Sequence, residues 1–155
     1  MKNYTSKVDT ETTIWKIEQL LVSFRAKNIS KEYDDKMEVC GIIFTIDVAG
    51  IGPQYIRLPS APDSVYKVLA SQRKGQLDPK AKQRLMEQAK RTSWKLMQDW
   101  VEVQLSLIEM RQAEAAQVFM PYLWNGTKTF YQIARESGFK ALTHQPDRTI
   151  DEVPS

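Results

Sequence analysis

Hydrophobic residues change their spacing several times along the chain, and each change marks an element. Ile14, Ile17, Leu21 and Phe24 recur at helical steps behind Asp9 or Thr10, either of which can cap a helix running to about Lys27. Through "ISKEYDDKMEVCGIIFTIDV" the period drops to two, and Cys40, Ile42, Phe44, Ile46 and Val48 alternate with Val39, Gly41, Ile43, Thr45 and Asp47. With Asp34-Asp35-Lys36 as the turn, this predicts a hairpin. Gly50 and Gly52 tolerate positive φ and Pro53 cannot donate to a ladder, so "AGIGP" ends the second strand and "QYIRLP" reads as a short third one.

Pro62 suits the first position of a second helix carrying Val65, Val68 and Leu69 and ending near Gln72. "RKGQLDP" is a linker by composition, and Asp78-Pro79 is a start signal for the next helix. No Gly or Pro follows until Pro121, so the pattern allows one helix of roughly 63 Å at about 1.5 Å per residue. A compact chain of this size is only about 40 Å wide. Such a helix must break, with Arg91-Thr92-Ser93 the expected place, or project toward another chain. Beyond it, Pro121 is expected to kink or end the helix and fold Tyr122, Leu123 and Trp124 back over the core. Asn125-Gly126 makes a turn, Thr129 and Gln132 have capping-box spacing for a last helix bearing Phe130, Tyr131 and Ile133, and Ser137-Gly138-Phe139 reads as a glycine C-cap.

The long helix carries two apolar series. Leu96, Trp100, Val103 and Leu107 form one; Trp94, Met97, Val101, Leu105 and Ile108 form the other. A surface helix needs only one buried stripe. Residues 10–72 supply one small apolar layer, enough for one side, and the last helix can cover part of the other. The second series is therefore expected to meet a second copy of the chain in a homodimer, with a single-chain helical core as the alternative. The resulting fold class is α+β: a small antiparallel sheet of about three strands with two helices, then a long helix, a proline break and a short helix. Its expected organisation is a small α/β unit over 1–72, a basic linker over 73–79, a helical part over 80–142 packing on that unit as one folding domain, and a disordered tail over 143–155.

Charge adds one asymmetry to this picture. The 155 residues have a formal net charge of +3, but residues 71–95 hold eight Lys/Arg against two Asp/Glu, and residues 96–155 hold five against eight. "RKGQLDPKAKQRLMEQAKR" concentrates the excess. On a helix from Pro79, Lys80, Arg84, Arg91 and Lys95 share one broad side, flanked by Lys82 and Lys90, with Lys74 in the loop ahead. Cations at a helix N-terminus oppose the macrodipole, so helix stability does not explain them. They suit phosphates, giving salt-sensitive binding to DNA or RNA. Trp94 is the only nearby aromatic, which favours backbone contact over base stacking. A merely solvated helix start is the bland alternative.

Enzyme chemistry finds little support. His144, the only histidine, falls in the expected tail beside Pro146, where nothing fixes its geometry. Cys40, the only cysteine, excludes an internal disulfide and has no cationic neighbour in sequence to activate its thiol. Asp47, Asp99 and Glu102 could serve a metal-dependent nuclease, but their spacing forms no recognisable motif. "AGIG" precedes a strand and has no Lys-Ser/Thr behind it, unlike a phosphate-binding loop. No catalytic residue, metal or cofactor is expected. An apolar run long enough to span a membrane and a signal peptide's h-region are both missing from the sequence, so a soluble cytoplasmic protein is expected.

"MKNYTSKV", "KIEQLL", "IRLP", "QAKRTSWKLMQDWVEVQLSLIEMRQAEAAQVFMPY" and "TFYQ" together resemble a family of small proteins encoded by bacteriophages and integrated elements. The resemblance runs to about Leu142 and is most specific in the long helix. It implies a genomic setting and no activity. Small accessory proteins in that setting serve phage DNA metabolism or block host defences. Two functions are therefore expected: a non-enzymatic nucleic-acid-associated accessory protein, or an anti-CRISPR-like inhibitor that binds a host defence protein.

Overall fold

A computed structural model describes residues 9–143. Asp9 caps the first helix, α1 (Thr10–Ser23), which buries Ile14, Ile17 and Leu21. The helix stops short of the predicted Lys27. Arg25 turns left-handed at φ +68°, and the N–H groups of Arg25 and Ala26 donate back to the Val22 and Leu21 carbonyls at 2.9 and 3.0 Å. This paired closure satisfies the last carbonyls of the helix and releases Lys27 into a strand.

β1 (Lys27–Tyr33), β2 (Val39–Val48) and β3 (Gly52–Pro59) form an antiparallel sheet in the order β1-β2-β3. Asp34 holds the first turn by accepting the Lys36 and Glu38 N–H groups at 2.9 and 3.0 Å. Gly50 and Gly52 make the second at φ +83° and +91°, a region that side chains disfavour. Ile42 pairs with Leu58 and Phe44 with Ile56, so these four share one buried face with Ile46 and Val48.

α2 (Pro62–Ser71) begins at its proline, as predicted. Ala61 cannot cap it with a side chain. Instead Ser93 reaches across from the long helix: its Oγ accepts the Ala61 N–H at 3.2 Å and lies 2.8 Å from Ser60 Oγ.

The long helix α3 (Pro79–Glu109) has 31 residues and runs roughly 47 Å at about 1.5 Å per residue. It neither breaks at Arg91-Thr92-Ser93 nor continues to Met120. Arg111 turns left-handed at φ +59°, and the N–H groups of Arg111 and Gln112 donate to the Ile108 and Leu107 carbonyls at 3.0 and 2.8 Å. A short helix, α4 (Ala115–Phe119), then starts with the Glu114 N–H donating to Gln117 Oε1 at 3.3 Å. Pro121 sits in a 3-10 turn, Met120–Tyr122, so it neither kinks nor ends the long helix. Leu123 bridges to Ile56 and the Trp124 N–H donates to the Tyr55 carbonyl at 2.9 Å, covering part of the β3 edge.

α5 (Phe130–Glu136) has the predicted capping box: Thr129 N–H donates to Gln132 Oε1 at 2.8 Å, and Gln132 N–H to Thr129 Oγ1 at 3.3 Å. It ends at Gly138, with φ +70°, ahead of a last turn, α6 (Lys140–Thr143). The fold is α+β. His144 and the rest of the tail read as disordered lie outside the described residues.

One core joins α1, the sheet, the second half of α3 and Phe119, whose ring meets Phe44 edge-on at 5.5 Å. Trp94, Val101 and Leu105 are buried in it, and Met97 and Ile108 pack against it. These five are the residues expected at a dimer interface, but Trp94, Val101 and Leu105 are buried by α1 and the sheet of the same chain, and Met97 and Ile108 are half-buried against that core. The other series is the more open one. Val103 is 56% exposed and Leu96 also faces solvent, while Trp100 is partly covered by Phe119 and Tyr122 at centroid distances of 6.0 and 5.3 Å.

Candidate nucleic-acid interface

The approach to α3 is built as a loop and a capped helix start. Gly75 takes φ +85° in the loop, and Asp78 Oδ1 accepts the Ala81 N–H at 2.7 Å. This cap explains how the helix begins despite three cations in its first two turns. Lys74 lies in the loop, and Lys80, Lys82 and Arg84 project from those turns. All four are exposed, and none forms an ion pair with a described residue. Arg73, exposed beside Lys74, extends the set.

The remaining predicted cations have other occupations. Lys90 Nζ lies 2.9 Å from Glu38 Oε1 in the β1–β2 turn and 3.5 Å from Glu87 Oε1. The hydrogen bond to Glu38 raises its pKa above the usual lysine value, against the opposing effect of burial. Arg91 donates to Gln88 Oε1 at 2.8 Å, and Lys95 pairs with Asp99 at 3.1 Å. Lys82 also departs from the expected side. At 100° per residue it lies roughly 160° around the helix from both Lys80 and Arg84. The seven residues therefore split into four exposed cations around the helix start and three engaged further along.

Elsewhere the polar groups satisfy one another. On β1 and β3, Arg57 Nε donates to both Glu32 oxygens, at 3.0 and 3.1 Å, and the Cys40 thiol approaches Glu32 Oε1 at 3.5 Å. Gly41 leaves room there, since a Cβ would sit 3.3 Å from Glu32 Oε1 and 3.2 Å from the Leu58 carbonyl. The hydrogen bond from Arg57 pulls the Glu32 pKa below the usual value. Burial first, and the Glu32 contact second, push the Cys40 pKa up. The thiol is thus held protonated, the opposite of what a nucleophile needs.

Asp47 is exposed on β2, Asp99 is tied to Lys95, and Glu102 lines a shallow groove between α1 and α3 with Trp15. Among the described residues, no group of three or more His, Cys, Asp or Glu side chains could hold a metal ion. Nor is any helix among them long and apolar enough to cross a membrane. No family model, curated protein or solved structure matches the chain.

Sequence reading missed two features. The pairing of Lys90 with Glu38 joins residues far apart in the chain, and no local pattern announces it. The helix stop at Arg111 carried no glycine to signal it.

Proposed function

We propose that this chain is a non-enzymatic accessory protein of a phage or mobile element, acting in the bacterial cytoplasm and holding the backbone of DNA or RNA at the start of α3. The observation that carries the reading is the set Lys74, Lys80, Lys82 and Arg84, exposed and without acidic partners among the described residues. Cations spread around a helix end can track a phosphate backbone but do not converge on one small ligand. Neutralising about four phosphates gives a logarithmic salt slope of roughly −3.5, or on the order of 10²-fold weaker binding between about 50 and about 200 mM salt.

Anisotropy of a fluorescent oligonucleotide tests this. Replacing Lys80 and Arg84 together by Glu should weaken binding by at least about tenfold and flatten the salt slope by about two. Replacing Lys90 by Gln should change little, because that ammonium already serves Glu38. Binding that is independent of salt, or indifferent to the first pair, would sink the reading.

A second reading, an inhibitor that binds a host defence protein, is favoured by the exposed Phe130, Tyr131 and Ile133 on α5. Recovery from host lysate of one protein that survives nuclease treatment and is lost with Phe130→Ser and Tyr131→Ser would support it. Self-association belongs to the proposal through the exposed Leu96 and Val103, with the half-buried Leu107 beside them. A monomer by light scattering at micromolar concentration removes it.

A further inference from the structure

The first two turns of α3 carry their cations on both sides of one exposed residue, Gln83. At 100° per residue, Lys82 stands roughly 100° to one side of Gln83, and Lys80 and Arg84 stand roughly 60° and 100° to the other. Leu85 and Thr92, both buried, lie roughly 160° and 180° from Gln83, which places it on the side away from the strip that faces α2. The helix start therefore presents an amide with positive charge on both flanks, and the exposed Arg73 and Lys74 add charge in the loop ahead. Behind it the sign reverses. Glu87 follows Gln83 by one turn, and Lys90 is held by Glu38 and Glu87. These carboxylates repel phosphate, which confines a contact to the first two turns.

An α-helix with its side chains is about 10–12 Å across, and the major groove of B-form DNA is about 12 Å wide. A helix seated there has a phosphate strand on each side, the distribution that Lys82 and the pair Lys80 and Arg84 match. A single strand has one line of phosphates and can follow only one flank at a time. Its bases also need aromatic platforms. Those nearest in sequence are closed to it: Trp94 is 2% exposed and Tyr66 is half-buried. Double-stranded RNA does not fit either, because its major groove is too deep and narrow to be read by a helix.

We infer, on the nucleic-acid reading above, that the ligand is double-stranded DNA, entered through its major groove by the first two turns of α3. Lys82 meets the phosphates of one strand, Lys80 and Arg84 meet those of the other, and Gln83 lies toward the base edges. A glutamine amide suits that place, since it both donates and accepts and can pair with N7 and N6 of adenine. Positive charge at the helix start with negative charge behind it also turns that end toward DNA during approach.

Fluorescence anisotropy on the full chain can compare a labelled mixed-sequence DNA duplex of about two helical turns with either of its single strands and with the RNA duplex of the same sequence. The DNA duplex should bind at least about tenfold tighter than the other two. Methyl green, which occupies the major groove, should displace the chain, and distamycin, which occupies the minor groove, should not. Lys82→Glu and Lys80→Glu should weaken duplex binding to within about threefold of one another, each lowering the salt slope by about one. Selection from duplexes with a randomised centre should enrich an A·T pair at one position with the parent and lose that enrichment with Gln83→Ala. Binding to none of the three nucleic acids in a salt-dependent way sinks the nucleic-acid reading and this inference with it. Four results overturn the inference alone: salt-dependent binding with a single strand or the RNA duplex held as tightly as DNA, displacement by distamycin and not by methyl green, a Lys82→Glu variant that binds like the parent, or a selection that Gln83→Ala leaves unchanged.

Discussion

The first and second halves of α3 share one unbroken helix and differ in what holds them. Residues 94–109 place Trp94, Val101 and Leu105 in the common core of α1, the sheet and Phe119. Residues 79–93 bury Leu85, Ala89, Thr92 and Ser93 outside that core, on a strip that ends where Ser93 meets the start of α2. At 100° per residue the two buried strips lie roughly 155° apart around the helix. The comparison teaches that one helix can be amphipathic twice, facing one neighbour and then another. Both apolar series of the second half looked like independent demands for cover. In fact Leu96, Val103 and Leu107 prolong the α2-facing strip past the start of α2, and Trp100 of the same series packs against Phe119 and Tyr122.

If the halves differ as described, truncating the core half costs more. Leu105→Ala should destabilise by about 2–5 kcal/mol, whereas Leu85→Ala should fall near about 2 kcal/mol, because α2 buries no residue fully and can settle into the space. Urea denaturation measures both, and equal costs would break the comparison. Ser93→Ala tests the joint between the halves. It strips Ala61 N–H and Ser60 Oγ of their shared partner, and the expected loss is about 1–2 kcal/mol.

Arg111 should act in the other direction. It occupies a left-handed position that glycine adopts without steric cost, so Arg111→Gly should raise stability by about 0.5–1 kcal/mol at the end of the core half, read as a higher urea midpoint. The smallest effect concerns the first half and its tie to the sheet. Glu38 raises the Lys90 pKa, so that pair's contribution is complete below the ordinary lysine value and disappears as pH rises through the raised one. The stability difference between the parent and Glu38→Gln should stay constant near neutrality and vanish only in strong alkali. Glu32 runs oppositely. Its lowered pKa makes the Arg57 contribution present above the ordinary carboxylate value and lost on acidification.

Helix ends show why part of the fold was legible and part was not. At Gly138, Phe139 N–H donates to the Ala134 carbonyl and Gly138 N–H to Arg135, and the sequence announces this closure with its glycine. Arg25 and Arg111 close α1 and α3 with the same pair of bonds, but nothing in an arginine signals a positive φ. Reading α1 to Lys27 and α3 toward Met120 followed from that silence. The basic site was legible in composition, since Lys74, Lys80, Lys82 and Arg84 stand in one short segment. That Lys90 and Lys95 would be neutralised depended on Glu38, supplied by a distant hairpin, and on Asp99, one turn along the same helix.

Local chemistry was enough to place the strands, the glycine and asparagine turns, the caps at Asp9, Asp78 and Thr129, and therefore the α+β class, because each depends on residues within a few positions of one another. Assigning an apolar stripe to the interior, a cation to solvent or a carboxylate to an open cleft is a different matter. Those outcomes depend on which surfaces meet once α1, α2 and the sheet close on α3, and burial is a property of the assembled chain.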